Sequence, residues 1–210
     1  MALSVAVMNI KGGCGKTTIA THLAAGFANS GLTTALADYD RQKSGLIFGE
    51  LRPESAARIE FLDWRADFGE VGRKIQRLII DCPASLKSGR VREVIREADV
   101  VVVPIQASIY DERATLHFLS EIEQLKTIKS GKKRSFVVAN RVRVSSAQAK
   151  KLERLMLGHG YHLAARIPDK NIYPKLAEQG LTVFDLRTKA AQVEQEAWLP
   201  LMELIEEAAT

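Results

Sequence analysis

Asn9-Ile10-Lys11-Gly12-Gly13-Cys14-Gly15-Lys16-Thr17-Thr18 stands between an apolar run at 3–8 and a segment carrying Ile19, Leu23 and Phe27 at helical spacing. A strand that runs through glycines into a helix gathers backbone N–H groups at a helix N-terminus, where they cradle an anion. Gly12, Gly13 and Gly15 let the backbone turn tightly and approach a phosphate with no Cβ in the way. Lys16 supplies a cation to the β- and γ-phosphates, the Thr17 hydroxyl is placed for Mg²⁺, and Thr18 can donate to the α-phosphate. The common spacing G-x-x-x-x-G-K-[ST] is met only in part. Its first glycine would fall at Ile10, and a second lysine, Lys11, stands in the loop. A solvated loop lysine is the plain reading of Lys11; the agreement of strand, loop, Gly-Lys-Thr and downstream acids favours a functional one.

The same alternation continues outward. Short apolar runs at 35–37, 78–80, 100–103, 136–139 and 163–167 end on Asp38-Tyr39-Asp40, Asp81, Pro104, Asn140 and Pro168. Such continuous runs suit strands covered on both faces. The segment 57–64, with Ile59, Phe61 and Trp64, reads as one more short strand. Between the runs, 111–129 carries Leu116, Leu119, Ile122 and Leu125 at helical spacing, and 145–159 carries Ala149, Leu152, Leu155 and Met156. A last helix over 189–208 docks Trp198, Leu201, Leu204 and Ile205. The pattern predicts an α/β fold of the P-loop NTPase kind, a mostly parallel central sheet flanked by helices, with 1–210 as a single domain.

Of the 210 residues 46% are apolar, enough for a sizeable core, yet no apolar run approaches the roughly 18 residues of a membrane span. The start of the chain lacks a basic region and is expected to be the first strand, not a signal peptide. Cys14 and Cys82 do not make a disulfide framework. The expectation is a soluble, cytoplasmic protein. Only eight residues precede the loop motif, which leaves no room for a helix-turn-helix and argues against specific operator reading. Charge is uneven: residues 131–189 hold 13 Lys/Arg against 4 Asp/Glu, 190–210 hold 5 Glu and no Lys/Arg, and 1–130 are nearly balanced at 17 against 16. The basic segment either meets a polyanion or is a solvated surface.

KGGCGKTT at 11–18 resembles the deviant Walker A signature of the ParA/MinD group of ATPases. The resemblance runs over nearly the whole chain. DYDRQ at 38–42 is similar to the family's D-x-D-P-Q segment, and IIDCPAS at 79–85 to its Walker B. VPIQAS at 103–108, ANR at 139–141 and RIP at 166–168 fall where the family builds its nucleotide pocket. The resemblance implies ATP and Mg²⁺ as cofactors. Asp81 would hold a Mg²⁺-bound water, and Asp40 would orient the attacking water, with Asp38 a structural acid. Arg41 departs from the pattern, replacing a proline and adding a charge beside the site. Lys11 would reach the phosphates of the other protomer in an ATP-dependent homodimer, with the logic of an arginine finger. Asn140 would read the adenine edge, or serve as a strand-end turn residue, and Pro168 would pack on the base. Iron–sulfur relatives need a cysteine pair that is missing from this sequence.

Within the family, the short length resembles compact ParA proteins. That implies an ATP dimer on non-specific DNA, nucleoid-associated, with a cargo adaptor protein stimulating hydrolysis. Arg166, Lys170 and Lys175 flank the loop where some ParA proteins place DNA-contacting arginines. Arg141, Arg143, Lys150, Lys151 and Arg154 extend the patch, each of them equally readable as an exposed charge. Lys132-Lys133-Arg134 precedes a strand and belongs at the sheet end opposite ATP. A MinD-like membrane cycle needs a basic C-terminal amphipathic helix, and 190–210 is acidic, so no membrane partner is expected. A biotin- or cobalamin-type ligase would need a substrate motif, and a tyrosine kinase of this loop class a terminal tyrosine cluster; neither is found. The cargo stays open among plasmid, chromosome locus and carboxysome-like organelle, with the Arg41 departure tilting toward the organelle.

Overall fold

The computed structural model describes residues 2–143 and 145–208. Seven strands, β1 (Leu3–Val7), β2 (Thr34–Asp38), β3 (Ile59–Asp63), β4 (Arg77–Asp81), β5 (Val100–Ile105), β6 (Arg134–Val142) and β7 (Leu163–Pro168), form one sheet in the order β3-β2-β4-β1-β5-β6-β7. Every neighbouring pair is parallel. Parallel neighbours need long crossovers, and helices supply them, which is why both faces of the sheet are covered. The 57–64 segment is indeed a strand, β3, at the sheet's edge.

Alternation along each strand splits the core in two. Val5, Val7, Leu36, Ile79 and Val102 face α1 (Lys16–Asn29) and the C-terminal helices, against Ile19, Leu23, Phe27, Trp198 and Leu201. Ala6, Ala37, Ile80, Val101 and Val103 face α3 (Ser88–Glu97), α4 (Ile109–Glu123) and α6 (Ala147–Gly158), against Val94, Phe118, Leu119, Leu152 and Met156. Before α3 comes α2 (Ser44–Leu51). The Ser108 and Ser146 hydroxyls cap α4 and α6 by accepting from Asp111 N and Ala149 N, satisfying N–H groups left open in a first turn.

Two expected helices are each broken. The 111–129 segment ends α4 at Glu123 and resumes as α5 (Lys126–Lys129), because Leu125 takes an extended backbone. The C-terminal segment divides into α8 (Lys189–Glu196) and α9 (Leu199–Glu207) after the short α7 (Ile172–Ala177). Pro200 explains the second break. It has no N–H, and its ring would strike the carbonyl four residues back, so it sits at the opening of α9 instead. The turn before α8 is fixed by a buried ion pair, Arg52–Asp185 at 2.6 Å, with side chains 5% and 2% exposed. Arg52 also donates to the Ala57 and Gly180 carbonyls, so no donor face of the guanidinium is wasted in the interior.

Candidate functional site

The loop between β1 and α1 lies at the C-terminal end of the sheet, where open parallel sheets bind ligands. Gly13 (φ 79°) and Gly15 (φ 90°) adopt left-handed backbone that L side chains resist. A Cβ on Gly15 would also stand 2.1 Å from Asn140 Nδ2, so glycine is required there on two counts. The carbonyls of the loop are turned onto side chains. Asn140 Nδ2 donates to Cys14 O at 2.8 Å, and Gln106 Nε2 to Gly13 O at 3.0 Å. Lys16 Nζ (3.0 Å) and the Cys14 thiol (3.2 Å) both donate to Lys11 O. Below, the Asn9 amide donates to Pro104 O and Thr115 Oγ1, both at 2.8 Å, and its Oδ1 accepts from Lys11 N at 3.3 Å. With its carbonyls held away, the loop can offer N–H groups. No side chain caps α1, so the N–H groups of its first turn stay open to an anion.

Lys16 is buried at 7% exposure, its ammonium folded back into the loop. Lys11 is half-buried, and its side chain makes no hydrogen bond or ion pair among the described residues. Both cysteines are free and buried.

Three acids converge on the loop. Asp81 ends β4, in register with Val7 of β1 and Asp38 of β2. It is 1% exposed, and among the described residues neither carboxylate oxygen has a partner in hydrogen-bond geometry, the Thr17 hydroxyl being the nearby polar group that acts on it. Burial pushes its pKa up to about 7, against the opposing pull of the Thr17 hydroxyl and the Lys16 ammonium. A buried carboxylate without partners is expensive unless it meets a cation. This orphaned acid beside Thr17 therefore fits a hard divalent ion with oxygen ligands and retained waters. Asp38, fully buried, accepts from Asp40 N and Leu46 N, both at 2.9 Å, and so shapes the turn; burial raises its pKa above the ordinary carboxyl value. Asp40 is half-buried at the rim, its carboxylate accepting from Gln42 N at 3.1 Å and its carbonyl from Lys43 N at 3.0 Å. The turn thus closes on its own hydrogen bonds without the proline that Arg41 replaces; Arg41 itself is exposed.

A cavity of about 290 Å³ opens beside the first turn of α1, lined by Thr18, Asn140, Arg141, Pro168, Tyr173 and Ala177 among others. The register of β6 and β7 slips between Ala139 and Val142, and Arg141 takes φ 51°. That irregularity lifts Asn140 out of the ladder and onto the loop. Asn140 thereby braces the loop with its Nδ2, a role the sequence did not suggest, while lining the cavity that Pro168 also walls. Two larger cavities, about 660 and 560 Å³, lie elsewhere, the first against Ile10 and Val91 and the second against Trp64 and Phe68.

The structure redistributes the basic residues. Arg166 is ion-paired with Glu153, and Lys170 with Glu194 at 2.6 Å. These two are therefore engaged cations, not free ones. Lys175 is exposed, as are Arg141, Arg143, Lys150, Lys151 and Arg154, and none of these six is in an ion pair among the described residues. Lys133 donates to the Ala98 carbonyl at 2.6 Å at the far end of the sheet, capping the C-terminus of α3. Sequence reasoning missed the bracing roles of Asn9, Gln106 and Asn140. Their shared signal is a polar amide directly after an apolar run of the sequence.

A parallel sheet with a glycine loop, a buried lysine and an orphaned acid at its C-terminal end defines a nucleotide-binding α/β protein. The chain belongs to the family of the CobQ/CobB/MinD/ParA nucleotide binding domain, whose model matches residues 5–183. Among curated proteins it is similar to the maintenance of carboxysome distribution protein A of Halothiobacillus neapolitanus, 25% identical over 97% of each chain. Its fold matches that of apo McdA from Cyanothece (TM-score 0.75, 16% identity, all of both chains). It also matches the septum site-determining protein MinD of Pyrococcus horikoshii, solved with Mg-ADP (TM-score 0.70, 18% identity, 100% of this chain and 98% of that one).

Proposed function

We propose that residues 1–210 act as one ParA-type ATPase domain that binds MgATP, dimerises on it and holds duplex DNA without regard to sequence. The dimer would position a cargo over the nucleoid until an adaptor protein stimulates hydrolysis and release. The observation that carries the nucleotide half is the buried, partnerless Asp81 carboxylate set beside Thr17 and Lys16. The full-length similarity to a carboxysome distribution protein supports a carboxysome-like organelle as the cargo.

The roles follow from placement. The open N–H groups of the loop and α1, with Lys16, take the phosphates. The Thr17 hydroxyl and, through water, Asp81 hold Mg²⁺, which when bound neutralises charge on the β- and γ-phosphates. Lys11, unengaged at the loop's outer side, reaches the phosphates of the partner protomer. Asn140 keeps its Oδ1 for the adenine edge, since its Nδ2 is committed to the loop, and Pro168 packs on the base. Asp40 orients the attacking water. Asp40→Ala is expected to bind ATP nearly as the native protein does while hydrolysing it about a hundredfold more slowly, the scale of a lost general base. Single-turnover hydrolysis beside a direct binding titration measures both. A native rate in that variant removes Asp40 from the chemistry.

A membrane-cycling reading finds no support in the C-terminal helix. Three of its apolar side chains, Leu201, Met202 and Ile205, are buried against the core, and Leu199 at its start is exposed. No helix among the described residues is long and apolar enough to cross a membrane.

DNA binding is the test of the second half. The exposed cations of α6, of the turn before it and of the end of β6, Lys150, Lys151, Arg154, Arg143 and Arg141, carry the contact better than Arg166 and Lys170. Affinity for duplex DNA with ATP should fall steeply with salt, and each phosphate contact removed should lower the log–log slope by about 0.9. Replacing Lys150, Lys151 and Arg154 with Ala should flatten that slope more than replacing Arg166, Lys170 and Lys175. Equal affinity with ATP and ADP would sink the switch, and equal slopes in the two variants would move the contact surface elsewhere.

A further inference from the structure

The base-side cavity owes part of its wall to a residue far from it in sequence. Lys170 and Tyr173, both on the rim of that cavity, direct their polar ends toward the Glu194 side chain. Lys170 Nζ donates to Glu194 Oε1 at 2.6 Å, and the Tyr173 hydroxyl lies 3.4 Å from Glu194 Oε2. Glu194 itself is only 6% exposed. A carboxylate is rarely so buried unless it is paired, and among the described residues its partners are Lys170 and Tyr173 of the cavity wall.

The contacts continue toward the phosphate end. The Tyr173 ring meets His22 edge-on at 5.3 Å, and His22 Nδ1 bonds the Thr18 carbonyl at 2.8 Å. Trp198, four residues beyond Glu194 at the N-cap of α9, stacks on the same histidine at 4.5 Å with 9° between the rings. Glu194 in α8 and Trp198 at the N-cap of α9 thus set a carboxylate and an indole, four residues apart, behind the cavity wall. Among the described residues Glu194 has no hydrogen bond or ion pair to the phosphate loop, so its influence reaches a bound nucleotide through Lys170 and Tyr173.

We propose that Glu194 is a positioning residue for the nucleoside part of the ligand: it fixes Lys170 and Tyr173 in the wall of the base-side cavity and leaves the phosphate loop to act alone on the phosphates. This rests on the nucleotide-site reading given above. Its signature is a split between ligands with and without a base. Glu194→Gln keeps the shape of the side chain and removes its charge. In that variant the Kd for MgATP is expected to rise roughly tenfold, the scale of one charge-assisted hydrogen bond. The Kd for magnesium tripolyphosphate, which has the phosphates and no nucleoside, is expected to stay within about twofold of the native value.

Lys170→Met and the double variant complete a cycle. Because the two side chains act as one pair, their effects on ATP affinity should be far from additive. Isothermal titration of the full chain with each ligand supplies every number. An unchanged ATP affinity in Glu194→Gln would overturn the proposal. Parallel losses for ATP and tripolyphosphate would overturn it too, by showing a general structural role. Full additivity with Lys170→Met would break the link to the wall. A native protein that binds neither ligand would remove the nucleotide reading itself, and the proposal with it.

Discussion

Lys16→Ala is expected to lose ATP binding by about a hundredfold or more, the scale of a charged hydrogen-bonding partner removed from a buried phosphate site. The fold should survive. The Lys16 ammonium rests on the Lys11 carbonyl, which the Cys14 thiol also reaches, and it forms no ion pair among the described residues. Truncation therefore strips the loop of its buried cation without breaking an ion pair, and the buried Asp81 carboxyl, which that ammonium holds down, answers by keeping its proton. Taking a lightly compensated ammonium out of the interior even favours the empty protein. The melting temperature without nucleotide should accordingly hold or rise, while the upward shift that ATP gives the native chain disappears. Paired melting curves with and without MgATP, together with a binding titration, measure this. Native affinity in the variant would sink the assignment of the loop.

The loop and the sheet around it were legible because both rest on local rules. Glycines at 13 and 15 are demanded by positive φ, and the apolar runs ending on Asp38, Asp81 and Pro168 mark strand ends, with Asn140 two residues before the end of β6, all at the C-terminal end of a parallel sheet. Even the edge strand at Ile59–Asp63 showed, through Ile59 and Phe61, as a short apolar segment. The break of the last helix was equally local, since Pro200 is visible in the sequence, yet the apolar spacing on either side of it reads as one continuous helix.

The charges behaved differently. Whether Arg166 or Lys170 is free depends on Glu153 and Glu194, which come beside them only when α6 and α8 dock on β7 and the loop after it. No spacing rule connects a lysine to a glutamate twenty-four residues on. The same holds for Asn140, whose grip on the Cys14 carbonyl spans 126 positions and needs the slip in the β6–β7 register to form. Backbone conformation and strand ends were local enough to read; side-chain pairing across the fold was not.

Asp81→Asn is expected to move stability and ligand response in opposite directions. In the empty protein, burial holds the Asp81 carboxyl up to about 7, against an ordinary 3.8. Between those values the folded chain keeps a proton that the unfolded chain releases. Stability contributed by this group is therefore full below the ordinary value and is lost as pH rises toward 7. At about 1.4 kcal/mol per pH unit, the loss is of order 4 kcal/mol at most. Asparagine carries no charge, so the variant escapes that loss. At pH 8 the nucleotide-free variant should be more stable than the native protein by about 2 kcal/mol, after allowing for a buried amide that is itself short of partners. At pH 4 the advantage should vanish. His22 complicates the raw curves, because burial holds its pKa down to about 4 and makes the protein gain stability as pH rises from there toward 6.5. That contribution is common to both proteins and cancels in their difference. With Mg²⁺ and ATP the order should reverse, since the cation that would relieve Asp81 has lost its carboxylate and the native protein alone gains the full ligand stabilisation, about 2.7 kcal/mol at a hundredfold excess over Kd. Denaturant titrations at pH 4 and pH 8, each with and without MgATP, supply the comparison. A variant less stable than native at pH 8 without ligand, or one that MgATP stabilises as much as the native chain, would show that Asp81 does not wait for a cation.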